Sequence, residues 1–267
     1  MTELATITVA LITKNEAANL RALLPQLDWA DQVVVVDSGS SDDTVEIARS
    51  HGCHVTVHAF DTFARQRNRA LDLSRETWVL SLDADERPSG RLVSEMRRAA
   101  QQDRHDAYRI PIRSEILGRP VRRGGTQDDR PIRFFRRATA RWNGDVHEVL
   151  EIHGRVSAFS GWLDHRTLPT YAAFFDKIDR YTALEAAARV REGQPPRTQD
   201  LLVAPAREVF RRLIYKLGLL DGPAGWQFAL LSGYSEWILA RRHRRLWSAR
   251  RSSSASQAPL FQTEHVS

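Results

Sequence analysis

The chain has 267 residues and 42% hydrophobic content, enough to bury one sizeable core, and its natural reading is one α/β domain with a C-terminal elaboration. A single cysteine, Cys53, excludes an internal disulfide, and the opening Met1-Thr2-Glu3-Leu4 has neither a basic region nor a long apolar stretch, so a reducing, cytosolic setting is expected. The net charge of +6 is concentrated: residues 203–251 hold ten arginines or lysines against three acidic residues, a net +7, which leaves residues 1–202 near neutral.

In chain order, Thr6 to Thr13 reads as a strand that gives way to Lys14-Asn15-Glu16. A helix is expected over Glu16–Leu27, with Ala17, Leu20, Leu23, Leu24 and Leu27 at helical spacing. Val33 to Val36 reads as a second strand, ending in Asp37-Ser38-Gly39-Ser40-Ser41-Asp42-Asp43, and an Asp43-x-x-Glu46 capping box announces a helix over Thr44–His51. Trp78 to Leu82 reads as a further strand and ends in Asp83-Ala84-Asp85. The first two runs are β-branched and apolar on both faces, the mark of central strands in a parallel sheet covered by helices. In such sheets ligands sit beyond the carboxyl ends of the strands, where Asn15, Glu16, Asp37, Asp83 and Asp85 all fall.

Alternation along a strand puts the Asp83 and Asp85 carboxylates on one side, roughly 6–7 Å apart, a geometry that suits one hard divalent cation. Magnesium takes one or two protein carboxylates and completes its shell with water and phosphate oxygens, so the pair implies a phosphorylated ligand. Plainer readings stand beside this one. Asp83-Ala84-Asp85 is also a solvated turn, Asn15 a cap of the first helix, Asp42 or Asp43 a cap of the second, and Gly39 the hinge of a tight turn.

Taken in order, Thr13-Lys14-Asn15-Glu16, Val36 to Thr44, Ala64-Arg65-Gln66-Arg67-Asn68-Arg69-Ala70 and Asp83-Ala84-Asp85 resemble the family 2 glycosyltransferases of the GT-A fold, over residues 5 to about 100. The resemblance implies a mostly parallel central sheet flanked by helices and a nucleotide-sugar donor, UDP-linked. Thr13 to Glu16 (with Asn15 among them) and Asp37 would hold the nucleoside, and Arg67 and Asn68 would lie near it. Asp83 and Ala84 would meet the donor, with Asp83 at the ribose or the metal, and Asp85 would ligate Mg²⁺ or Mn²⁺ under the diphosphate.

Farther on, Tyr108 to Arg113 and Pro131 to Arg137 read as strands with interleaved arginines, joined through the loop Gly124-Gly125-Thr126-Gln127-Asp128-Asp129 and followed by Trp142 to Glu148. This stretch resembles the acceptor half of the lipopolysaccharide-core glucosyltransferase branch. An acceptor hydroxyl needs a carboxylate base during inverting attack. Glu148 is the first choice, Asp145 the second and Asp129 the third; the alternative for Glu148 is a surface glutamate on a strand. His147 and His165 are read either as metal or diphosphate neighbours or as hydrogen-bonded structural histidines.

The basic tail combines a helical face of Val209, Phe210, Leu213, Ile214 and Leu217 with an apolar stretch over Trp226–Ala240 and the run Arg241-Arg242-His243-Arg244-Arg245. Amphipathic helices on an anionic bilayer surface are expected, with an ordinary helical subdomain or a dimer contact as the alternative. A span is not expected, because Ala224 to Ala240 is short and holds Gln227 and Glu236.

The expected organisation is residues 1–105 as the nucleotide-sugar half, 106–200 as the acceptor-binding half of the same domain, 201–251 as the membrane-associating region and 252–267 as a disordered tail. The expected activity is transfer of a hexose, glucose first, to a lipid-borne glycan such as lipopolysaccharide inner core at the inner face of the cytoplasmic membrane. The alternatives are a polyprenyl-phosphate sugar synthase and a non-catalytic basic module for nucleic acid or membrane, although no nucleic-acid partner is expected. An aspartate-based phosphatase is disfavoured by Glu86-Arg87 after the paired aspartates, and a nucleotidyltransferase by the lack of a Gly-rich, Arg-containing loop after the first strand.

Overall fold

The computed structural model describes residues 6–144, 148–168 and 170–256. The chain forms two compact units, one of Met1–Glu115 with Thr126–Thr167 and one of Ile116–Gly125 with Leu168–Ser267. The division falls at 167/168 rather than near residue 200, and the second unit includes part of the loop region before Thr126.

The first unit begins β1 (Ile7–Thr13), α1 (Ala17–Leu23), β2 (Gln32–Asp37), α2 (Thr44–Ser50), β3 (His54–Val57), α3 (Phe63–Leu73) and β4 (Trp78–Asp83). β5 (Glu86–Pro88), α4 (Gly90–Gln102), β6 (Ala107–Arg109) and β7 (Ile112–Ile116) follow. After β8 (Arg119–Val121), which lies in the second unit, come β9 (Ile132–Arg136), β10 (Ala140–Asn143), β11 (Val149–Ile152), β12 (Val156–Ala158) and β13 (Leu163–Leu168).

The main sheet has the order β12-β6-β9-β4-β1-β2-β3. β1 pairs in parallel with both β2 and β4, and β2 with β3, whereas β9 runs antiparallel to β4 and β6. Because successive strands step from β1 through β2 to β3 and then return to the other side of β1, the strand order reverses at β1, the place where open α/β sheets leave a crevice. The register sets Thr13 beside Asp37 and Ile12 beside Asp83, so the polar residues that end three neighbouring strands share one edge.

The central strands of the sheet are buried on both faces, as the double-sided apolar runs require. Ile7, Val9 and Leu11 pack with Leu20, Leu23, Trp78, Leu80 and Leu92 on one side, while Ala10, Val34, Val36, Val79 and Phe135 pack with Ala70 and Leu71 on the other. Trp78 stacks on Phe134 with 4.8 Å between ring centroids, and each such fully buried large side chain contributes about 1.5–3 kcal/mol.

Three local expectations are corrected. α1 stops at Leu23 and a 3₁₀ turn carries Leu24–Gln26, because Pro25 has no N–H to continue the helix. Asp43 occupies the N-cap of α2 without a side-chain cap and pairs with Arg21 at 2.8 Å, so no capping box with Glu46 forms. Asp42 instead accepts from the Thr44 and Ala17 N–H groups and serves the starts of α2 and α1 together. The strand expected over Tyr108–Arg113 is interrupted at Ile110-Pro111, since proline cannot donate to a ladder.

The second unit is helical, with α5 (Tyr171–Arg191), α6 (Val203–Phe210) and α7 (Pro223–Ser256). Ile116, Val121, Phe174 and Ile178 form its buried cluster, against which Phe228, Leu231 and Ile238 of α7 pack. The apolar stretch of α7 thus serves a helical core, and Leu213 is buried while its expected face-mates Phe210, Ile214 and Leu217 are exposed. Among the described residues no helix is long and apolar enough to cross a membrane. Of the tail expected to be disordered from residue 252, α7 takes in the positions up to Ser256, and residues 257–267 lie outside the described residues.

Candidate active site

Asp83 closes β4, but Asp85 does not continue that strand; Ala84 and Asp85 form a turn before β5. The pair is therefore arranged by a turn rather than by strand alternation. Arg87 fastens this turn, donating from Nη1 to the carbonyls of Ala84 (2.7 Å) and Glu86 (2.9 Å) and from Nη2 to that of Asn19 (3.0 Å). Ala84 is buried, and the Asp83 N–H donates to Glu86 Oε2 at 2.9 Å.

The two aspartates face different partners. Asp83 accepts from Arg67 Nη2 at 2.9 Å and from Arg133 Nη2 at 2.8 Å; Arg133 also lies 3.3 Å from Glu86. Burial alone would raise the Asp83 carboxyl, but the Arg133 and Arg67 guanidiniums outweigh it and hold it well below the ordinary range. Glu86 goes the other way: its near-total burial raises its carboxyl despite Arg133. Asp85 lies against His165 of β13, with Oδ2 and Nε2 3.1 Å apart; burial would lower the histidine pKa, but this contact together with the Glu86 and Asp83 charges raises it.

Arg67 also links Asp83 to Glu148. Its guanidinium is packed over the Trp142 ring at 5.0 Å, donates to Ser81 Oγ at 3.1 Å, and turns Nε toward Glu148 Oε1, 3.7 Å away. The Nε atoms of both Arg67 and Arg133 are buried without a hydrogen-bond partner. Glu148 is a quarter exposed, at 26%. Asp129 is exposed, and its charge acts on Arg133. Asp145 and His147 lie outside the described residues.

The β1 and β2 ends are organised around Asp37. One carboxylate oxygen accepts from the Gly39 and Ser40 N–H groups and the other from Thr13 Oγ1 and Ser40 Oγ, so the loop after β2 and the end of β1 together occupy the four acceptor positions of this buried side chain. Gly39, at φ +79°, supplies the left-handed residue the loop requires. Asn15, itself left-handed at φ +55°, accepts from the Ser41 N–H, and its own N–H donates to Ser40 Oγ. Neither Asp37 nor Asn15 caps a helix; both brace the loop that borders the crevice. Glu16 ends next to the acidic cluster: burial raises its carboxyl, and Asp85, Asp42 and Asp83 add to the effect against the Asn19 amide.

Asn68 is engaged by the backbone of β10. Its amide exchanges two hydrogen bonds with the Trp142 backbone, to O at 2.8 Å and from N at 3.0 Å, and so clasps β10 to α3. Sequence reasoning passed over Glu86, Arg87 and Arg133. Glu86 and Arg87 were visible only as neighbours of the aspartates, and Arg133 as one of several arginines interleaved in a strand.

Among the described residues no cluster of three or more histidine, cysteine or acidic side chains forms a ready-made metal cage. The donor set still fits a divalent cation that brings its own phosphate ligands: a carboxylate and an imidazole side by side at Asp85 and His165, with Glu16 and Asp83 adding negative charge nearby.

The model of the family described as Glycosyl transferase family 2 matches residues 8–153. Among curated proteins, a lipopolysaccharide core biosynthesis glycosyltransferase of Rhizobium meliloti (strain 1021) is 27% identical over 240 residues, covering 83% of this chain and 88% of that protein. An uncharacterized glycosyltransferase of Rickettsia typhi is 28% identical over 202 residues, covering 70% of this chain and 69% of that protein. Among solved structures, S. aureus TarS 1-349 in complex with UDP-GlcNAc is 15% identical with a TM-score of 0.46, covering 93% of this chain and 92% of that one.

Proposed function

The chain belongs to glycosyltransferase family 2, and from that premise we propose that it moves a hexose, glucose first, from a UDP-linked donor to a lipid-borne glycan such as lipopolysaccharide inner core, with inversion at the anomeric carbon. The carrying observation is the arrangement around Arg67, which pairs with Asp83 on one side and faces Glu148 on the other at the carboxyl edge of the sheet. The relative from Rhizobium meliloti supports the choice of acceptor.

In this reading Asp85, with His165, holds Mg²⁺ or Mn²⁺, and Asp83 serves as a further ligand or meets the donor while ordering the two arginines. A bound cation would neutralise charge on the leaving diphosphate. The two guanidiniums that Arg67 and Arg133 bring to this edge support an anionic ligand such as a diphosphate. The loop braced by Asp37 and Asn15, with Thr13 and Glu16, borders the nucleoside. Glu148 removes the acceptor hydroxyl proton as the oxygen attacks. An exposed basic unit next in the chain suits a peripheral enzyme at the inner face of the cytoplasmic membrane.

Screening nucleotide sugars for binding and slow hydrolysis with Mg²⁺ or Mn²⁺ tests the donor class. UDP-glucose should be bound and turned over, and absence of turnover with every nucleotide sugar would reject the reading.

A further inference from the structure

Among the described residues, most of the large exposed hydrophobic side chains lie in the second unit, most densely between residues 202 and 220, although Val57, Phe60, Phe63, Val149 and Val156 of the first unit are exposed too. Leu202 (78% exposed), Tyr215 (80%), Leu220 (65%) and Phe210 (63%) stand out there, with Val203, Ile214, Leu217 and Leu219 each about half exposed or more. In an ordinary helical subdomain, side chains of this size at such spacing would be buried against a neighbour.

The backbone beneath them is an elbow rather than a continuous helix. A π-helical turn over Arg211–Tyr215 runs into a 3₁₀ turn over Gly218–Asp221, through Leu217 at φ +57°, a strained conformation for a branched residue. The inner side of the elbow is pinned. Gly124 N–H donates to the Lys216 carbonyl at 2.9 Å, Arg212 Nη1 to the Gly124 carbonyl at 2.9 Å, and the Arg122 and Arg123 N–H groups to Asp221 Oδ2 at 3.0 and 2.8 Å. Gly218 and Gly225 allow the closest approach: a Cβ on Gly218 would meet the Arg212 carbonyl oxygen at 2.7 Å, and one on Gly225 would meet the Gly218 carbonyl oxygen at 1.8 Å. The elbow thus turns these polar contacts inward and leaves leucines and aromatics exposed, with Arg207 exposed and the Arg211 side chain 43% exposed beside them, a mixture that suits the boundary between headgroups and acyl chains.

Charge decides the occupant. Residues 203–251 carry ten basic and three acidic side chains. An identical +7 region on a second copy would be repelled, whereas an anionic bilayer would be attracted. Tyr215 and Trp226, 80% and 47% exposed, are the aromatic types that settle at headgroup level. The arginine run at the far end of α7 is partly engaged within the unit, Arg241 on the Trp237 ring and Arg242 on Asp179.

We propose that the elbow of residues 202–220 is the segment that inserts into the acyl boundary of an anionic membrane, with the arginines of α7 outside the apolar layer. This rests on the membrane-surface reading above and specifies which residues carry it.

The test uses the full chain with vesicles of phosphatidylcholine, with and without phosphatidylglycerol. The variant Phe210→Ser/Leu220→Ser, checked for unchanged circular dichroism and UDP binding, should lose about tenfold or more in affinity for the anionic vesicles. In a Cys53→Ala background, an environment-sensitive dye on Leu220→Cys should shift to shorter wavelength on vesicle addition, and the same dye on Leu184→Cys, an exposed leucine of α5, should not. Undiminished binding by the double variant, or a shift at residue 184 and none at 220, would overturn the elbow while leaving membrane association standing. Failure of the parent chain to bind any vesicle would overturn the membrane reading and the elbow with it, without touching sugar transfer. A dimer dispersed by the double substitution, with vesicle affinity unchanged, would reassign the surface to a second copy.

Discussion

His165 Nε2 stands 3.1 Å from Asp85 Oδ2, bringing a residue of β13 to the turn that follows β4, eighty positions earlier in the chain. The contact is fixed from both sides: the Arg166 N–H donates to the Asp85 carbonyl at 3.0 Å, and β13 pairs with β5. If this pair holds the cation, Asp85→Asn should weaken Mn²⁺ binding by about tenfold to a hundredfold, and His165→Ala should weaken it in the same direction. Electron paramagnetic resonance titration of free Mn²⁺ measures both. Turnover that persists unchanged in EDTA would contradict the metal role.

Arg133 is the sole basic partner of Glu86 among the ion pairs of the described residues and one of two for Asp83. Arg133→Met leaves a buried carboxylate without its counter-charge and should cost about 3–5 kcal/mol, read from urea unfolding midpoints. Arg133→Lys should recover part of this loss, because it restores the charge without the forked geometry.

Glu148→Gln keeps the size and polarity of the side chain and removes the proton acceptor. Transfer to acceptor should fall by about 10² to 10⁴ while UDP-sugar affinity changes little. Calorimetry and a transfer assay on the same preparation check the two halves. Near-normal transfer would move the role to another carboxylate.

Glu95 provides a pH prediction remote from the site. Burial would raise its carboxyl, but Ser160 Oγ, the Gly161 and Ser160 N–H groups and Arg91 bring it down to about 2. A carboxyl depressed in the folded state contributes stability that is present above its unfolded pKa and lost as pH falls through the folded one. The contribution, on the order of 2–3 kcal/mol at neutral pH, should disappear between about pH 5 and pH 2, and Glu95→Gln should flatten that limb of the urea stability profile.

The central half of the fold was legible because its signals are local. β1, β2 and β4 are apolar on both faces and end in polar residues, and their order along the chain already implies a crevice at their carboxyl ends. Less legible was what each polar residue does there. Asp37 and Asn15 look the same in sequence whether they meet a ligand or brace their own loop, and only the hydrogen bonds from Gly39, Ser40 and Ser41 reveal the bracing. Arg133 reaches the site through a pairing far along the chain, which no local pattern encodes, and for His165 the sequence left open whether it stood beside the site or was a hydrogen-bonded structural histidine. The tail was only partly legible for a similar reason: periodicity identifies apolar positions on α6 and α7 but not which of them the neighbouring helices cover.

A crystal grown with UDP and Mn²⁺ tests the central claim most directly. The account predicts an anomalous scattering peak bonded to an Asp85 carboxylate oxygen and to diphosphate oxygens. UDP bound elsewhere, or bound at this edge with no metal beside Asp85, would contradict it.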